Sequence, residues 1–327
     1  VKKLLLILTV VASSFLTGCS SQSVAISRRA MVCLVYLEQT EQGYTALVAV
    51  RDFAAKEDGS DPIILHSAQD ETPVGAMTKA ACADGQQPFF ARNRLLFVGE
   101  RLADSGLAQL TKALSDHSGI YRNPNIWVWA NGAEALNDVA PLASFIPAAE
   151  KLPESFGCAT TLMQLAACPG KPVVPIINLK TEQGKALAVP VGIRVCGQDA
   201  VAFYSESDAE YYGLLRSRQR RLNLTVSQSD GTRALVQLTR LRCRVQPDSD
   251  GKLTLFLTGR GVVQQGIADP ALYGCVARQL AENCGALRSK LSLCGVDVPD
   301  FSLLKTSMDG DVATDLSLRI RVAIRWE

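Results

Sequence analysis

Cys19 has the surroundings that define a chemistry most fully. Lys2 and Lys3 precede an apolar run from Leu4 to Phe15, and Leu16-Thr17-Gly18 sets small residues directly before the thiol. A basic start, a short apolar segment and a small-residue cut site describe a secretory signal, and the run is too short for a permanent spanning helix. A cysteine immediately after the cut has the form of a bacterial lipobox, in which the Cys19 sulfur takes a diacylglyceryl thioether and its freed amine takes an acyl chain. Each buried methylene contributes about 0.8 kcal/mol, and two such signals hold a body stably at a bilayer.

Other reactive constellations are sparse. The chain has two histidines, His66 and His117, too few for a histidine-rich metal centre, and any serine or cysteine nucleophile would need one of them as its base. There is no Gly-x-Ser-x-Gly elbow, no Gly-x-x-x-x-Gly-Lys phosphate loop and no Cys-x-x-Cys pair. Of ten cysteines, Cys19 is taken by the lipid, which leaves an odd number and at least one free thiol. Several lie in apolar patterns and read as small buried hydrophobes. Asp248-Ser-Asp250-Gly251 has the start of a calcium loop but lacks the glutamate at its twelfth position, so it reads as a hairpin turn. His117 reads as a positive group near a helix C-terminus. Catalytic residues, cofactor and metal are therefore all expected to be none.

The dense basic cluster is Arg216, Arg218, Arg220 and Arg221, which follows a predicted helix. It suits anionic lipid headgroups or an acidic partner, and equally a solvated helix end. Arg240, Arg242 and Arg244 alternate with Leu241 and Cys243, which puts the arginines on the wet face of a strand. Removal of residues 1–18 takes Lys2 and Lys3 from a formal charge of +2 and leaves a neutral body. No global electrostatic case for nucleic acid remains.

The elements that must carry these residues are mixed. Met31 to Leu37 and Tyr44 to Phe53 read as a hairpin, followed by a charged loop from Lys56 to Asp61. Thr72-Pro73 opens a helix through about Cys82, Leu95 to Val98 is a short buried strand, and Asp104-Ser105 caps a helix running to Gly119. Ile126 to Ala130 is a strand with Trp127 and Trp129 on one face. Short helices are predicted near 133–139 and 160–167, separated by Pro141, Pro147 and Pro153, and Pro169, Pro172 and Pro175 are expected to break regular structure. Strands at 189–195 and 200–203 lead to a helix capped by Ser207 and Glu210. Long extended segments at 232–245 and 252–263, a long helix opened by Asp269-Pro270 and an alternating last strand from Leu316 to Trp326 complete the chain. The fold class expected is α+β, multidomain, with mixed and antiparallel sheets packed with helices. The expected organisation is a signal at 1–18, a lipidated tether at 19–30, an N-terminal domain at 31–178 and a C-terminal domain at 186–327 with a subdivision near 228.

The order of these landmarks resembles the Ger(x)C spore germination lipoproteins, the C subunits of GerA-type nutrient receptors of endospore-forming bacteria. The residues that carry the resemblance are Leu16 to Cys19; the segment Arg92 to Leu107 with its Val98-Gly99-Glu100; Thr161 to Ile177, ending Pro172-Val-Val-Pro-Ile176; Gly192 to Val201; and the long helix followed by Leu318 to Ile324. The chain departs from that pattern at Ser20 to Arg29 and at Ala91 to Arg94, and it is shortened between Gly295 and Asp315. The resemblance implies a divergent, non-enzymatic subunit anchored through Cys19 to the outer face of the spore inner membrane and assembled with integral-membrane A and B subunits to trigger germination. Two other classes stay open: a solute-binding lipoprotein of a transporter, against which the antiparallel-looking segment from Thr232 to Val263 speaks, and an extracytoplasmic enzyme using carboxylates alone.

Overall fold

The computed structural model describes residues 29–51, 63–117, 123–153, 160–167, 171–197, 199–216, 221–228, 231–247, 253–296 and 319–326. Residues 1–28 with Cys19, the charged loop at 56–61, Arg218, Arg220 and the turn at 248–251 lie outside the described residues, while Arg29 and Ala30 of the expected tether at 19–30 belong to the first strand. The first elements are strands β1 (Arg29–Thr40), β2 (Gly43–Arg51) and β3 (Ile63–Asp70), helix α1 (Pro73–Ala81), strands β4 (Gln87–Phe89) and β5 (Leu95–Val98), helix α2 (Glu100–Asp116) and strand β6 (Asn125–Trp129). Then come α3 (Glu134–Asn137), α4 (Leu142–Glu150), β7 (Thr160–Thr161), α5 (Leu162–Ala167), β8 (Val173–Glu182), β9 (Lys185–Val195), β10 (Val201–Phe203) and α6 (Glu206–Leu215). The chain closes with β11 (Arg221–Ser227), β12 (Arg233–Pro247), β13 (Leu253–Gln265), α7 (Pro270–Leu293) and β14 (Arg319–Trp326).

The strands form two sheets, so the architecture is α+β with mixed pairing. In the first sheet the order is β10-β9-β8-β6-β5-β1-β2-β3, with β4 beside β1 and β7 beside β6. Its centre, β1, β5, β6 and β8, is parallel, and antiparallel hairpins flank it on both sides. Central parallel strands are covered on both faces and so read as continuous apolar runs: all four residues of Leu95-Leu-Phe-Val98 are buried. Alternate residues feed two cores. Val35, Leu96, Ile126, Val128 and Val174 pack with α1, α2 and α5. Tyr36, Phe97, Trp127, Trp129 and Ile193 pack with α4 and α6, in a core continuous with the second sheet and α7. Trp127 and Trp129 share a face as expected, and Trp129 stacks on Phe97 at 5.1 Å with Phe145 edge-on to both rings.

The second sheet has the order β11-β12-β13-β14. Helix α7 lies on one face through Leu272, Val276, Leu280, Cys284, Leu287 and Leu291, all buried. Asp269 opens it as expected, accepting from Leu272 N at 2.6 Å. Tyr273 stacks on Trp326 with ring centroids 4.0 Å apart, tying β14 to the helix start. Gly261 is required there, because a Cβ would run into the Trp326 ring.

Several expectations are corrected. Helix α2 begins at Glu100, with Gly99 before it, and Asp104 lies inside it with its carboxylate committed to Arg194. Helix α6 is capped by Ser205, whose hydroxyl accepts from Asp208 N, two residues earlier than the expected Ser207 box. Pro147 sits inside α4, and Pro175 inside β8, where it precedes the pairing with β6 that starts at Ile176. Strand β11 was not expected: Arg221 belongs to its exposed face, while Leu222, Leu224 and Val226 are buried. Strand pairing also runs through 178–186, where the β8–β9 hairpin turns at Gln183-Gly184, both at positive φ. The change of sheet falls between β10 and β11.

Candidate functional site

Two segments that stand 90 residues apart meet at Arg194. Strand β9 delivers Arg194 to the first turns of α2, where its Nε and Nη2 donate to the Asp104 carboxylate at 2.9 and 2.8 Å. Nη1 lies 3.5 Å from Glu100 Oε1, and Tyr204 donates its hydroxyl to the same Glu100 oxygen at 2.7 Å. Arg194 is 8% exposed, so this is a nearly enclosed guanidinium facing two half-exposed carboxylates. Burial pulls its proton affinity down, and hydrogen bonding and charge from Asp104 and Glu100 outweigh that and hold it above its ordinary value. Tyr204 is raised by its hydrogen bond to Glu100 and by burial. Close backbone approach frames the cluster. A Cβ on Gly192 would strike the Phe203 carbonyl, and one on Gly99 would strike the Glu38 carboxylate, which accepts from Tyr36 at 2.8 Å.

Further titratable groups are spent in the same way. Lys290 of α7 binds Asp208 of α6 at 2.9 Å, Asn283 donates to Tyr211 at 2.9 Å, and His66 Nε2 stands 3.0 Å from Asp84. Among the described residues there is no group of three or more His, Cys, Asp or Glu suited to a metal ion. The seven described cysteines outside the masked segments are free thiols, and burial pushes Cys196 and Cys284 up to about 12.

The arginines divide between two places. Arg216 ends α6 half-buried and Arg221 begins β11 exposed, so these two stand just after the helix, as read from the sequence, and at the start of a strand. Strands β11 to β14 contain nine arginines and no acidic residue. Arg242, Arg244, Arg321 and Arg325 are exposed on the face away from α7, and Arg321 lies over the Phe256 ring at 6.0 Å. A bulge at Arg240 makes this possible, as the pairing shifts between Thr239 and Arg242.

A cavity of about 960 Å³ opens between the start of β1, the end of β2, the segment after β4, and α4. Arg29, Arg51, Arg92 and Arg94 line it with one acid, Glu150. Its walls are Met31, Val32, Phe89, Ile146 and Pro147, and Cys33 faces it with a thiol raised by burial against the pull of Arg51. No sequence motif marks this convergence, because the four arginines come from three separate stretches. The usable signal was the alternation Arg92-Asn93-Arg94 just before a buried strand.

No known family profile matches the chain, and no curated protein matches it in sequence. Among solved structures it is similar to the crystal structure of the GerBC protein, at 13% identity over 90% of this chain and 96% of that one, with a TM-score of 0.45.

Proposed function

We propose that this chain is a membrane-tethered, non-catalytic receptor subunit of the spore germination type, attached through Cys19 outside the spore inner membrane and working by assembly with two integral-membrane subunits. The observation that carries the reading is the outer face of the second sheet: Arg242, Arg244, Arg321 and Arg325 are exposed there, on strands that contain no acidic residue, with α7 packed on the opposite face. Such a surface steers and orients an acidic partner, and tethering raises its effective concentration toward membrane proteins. The lipobox and the order of the landmarks at 92–107, 161–177 and 192–201 support the same reading. So does the commitment of Asp104, Asp208 and Asp84 to structural pairs, which leaves those carboxylates to architecture.

A photo-crosslinker at exposed Thr258, between the arginine rows, tests it. Integral receptor subunits should be recovered, and Arg242→Glu with Arg321→Glu should cut that yield strongly while leaving folding intact. Recovery of a transporter permease instead would replace this reading with the solute-binding one. Cys19→Ala should remove the protein from the membrane fraction in a high-salt wash, and full retention would reject the lipid anchor.

A further inference from the structure

The cavity at the start of β1 is independent of the receptor reading and carries a chemistry of its own. Four guanidiniums line it against the single Glu150 carboxylate, which leaves three net positive charges around one half-open space. Among the described residues none of the four arginines is in an ion pair, so Glu150 is the only opposite charge in the lining. The Arg29 guanidinium carbon lies 5.3 Å from the Phe89 ring centroid, and its Nε is buried without a hydrogen-bond partner. The remaining wall is apolar, through Met31, Phe89 and Ile146, and the volume of about 960 Å³ is that of a small-molecule site.

We propose that this cavity binds a phosphate-bearing small molecule with an apolar body, its phosphate held by Arg29, Arg51, Arg92 and Arg94 and its body laid on Met31, Phe89 and Ile146. A phosphate monoester carries close to two negative charges and three acceptor oxygens, which match several guanidinium forks at once. A zwitterion or a monocarboxylate would leave most of the positive charge unbalanced. The same chemistry is offered by a soluble organophosphate and by a phospholipid headgroup with its glycerol and acyl stems.

Calorimetry on the full chain with phenyl phosphate, dihexanoyl phosphatidic acid, inorganic phosphate and benzyl alcohol separates these sources. One organophosphate should bind per chain, on the order of tenfold more tightly than inorganic phosphate or benzyl alcohol, since each of those lacks one half of the match. Arg92→Ala and Arg94→Ala change exposed side chains and should keep the urea midpoint, while weakening binding by roughly tenfold each. Tighter binding of dihexanoyl phosphatidic acid assigns a lipid headgroup, and tighter binding of phenyl phosphate assigns a soluble ligand. No saturable binding of either, or binding that survives both substitutions, overturns the proposal.

Discussion

Arg194 shows how one planar side chain fixes a relation that no short stretch of sequence contains. Its fork meets Asp104 two-pronged and reaches Glu100, so β9 and α2 are locked in register at the edge of the first sheet's core. Lysine offers a point charge without that fork. Because both carboxylates keep contact with water, the loss on removal is moderated by solvent screening. Arg194→Met should therefore cost about 1–3 kcal/mol in urea denaturation, and Arg194→Lys should recover only part of it. A lysine variant as stable as the parent would show that charge alone suffices. The individual residues of this cluster were visible in sequence, as the Val98-Gly99-Glu100 and Gly192-Ile-Arg194 stretches, but their pairing was not. Asp104 read as a helix cap because aspartate before a leucine-rich helical period usually is one, and only the tertiary partner shows otherwise.

At the scale of elements, long periodic segments were legible and the interruptions were not. The stripe of α7, the β1–β2 hairpin and the paired tryptophans of β6 follow directly from period 3.6 and period 2. Helix α4 is not legible in sequence because Pro141 and Pro147 look like breakers, although a proline at the threshold of a helix is compatible with it and Pro147 is accommodated within its nine residues. Strand β11 is hard to read from the sequence because its seven residues are short for a period-2 signal and the alternation of Leu222, Leu224 and Val226 directly follows a run of arginines. Strand β12 is the instructive case. Its inward residues are even-numbered through Ala234, Val236 and Leu238, then odd-numbered at Leu241 and Cys243. The parity changes because Arg240 takes φ 52 in a bulge, which turns Arg242 and Arg244 outward. A left-handed residue with a Cβ costs about 1–2 kcal/mol, so Arg240→Gly should be at least as stable as the parent. Arg240→Val should lose about 1–3 kcal/mol, because a β-branched side chain tolerates that conformation least. Equal stability of the two variants, read from thermal midpoints, would remove the bulge as the cause.

For the whole molecule the decisive fact is that one core runs from the inner face of the first sheet through α6 into the second sheet and α7. Cys284 lies in that core, and Cys196 lies in the other, beneath α2. Burial raises both thiols from an ordinary 9.0 to about 12, and raises Tyr211 from 10.0 to about 12. Between pH 9 and 12 the unfolded chain has released thiol protons that the native chain still holds. The unfolded state then binds fewer protons, so stability falls as pH rises, by up to about 1.4 kcal/mol per pH unit for each thiol. Below pH 9 the contribution is fully present. Urea midpoints should therefore stay level up to about pH 8.5 and decline through pH 10.5. Cys196→Ala and Cys284→Ala should each lower the midpoint at pH 7 through lost packing and make the alkaline decline shallower. Since the shared core couples the two sheets, either substitution should leave a single cooperative transition and move its midpoint. If the sheets unfolded separately, each substitution would alter one of two transitions and leave the other untouched, and the continuity of the core would then not be enough to bind them into one folding unit.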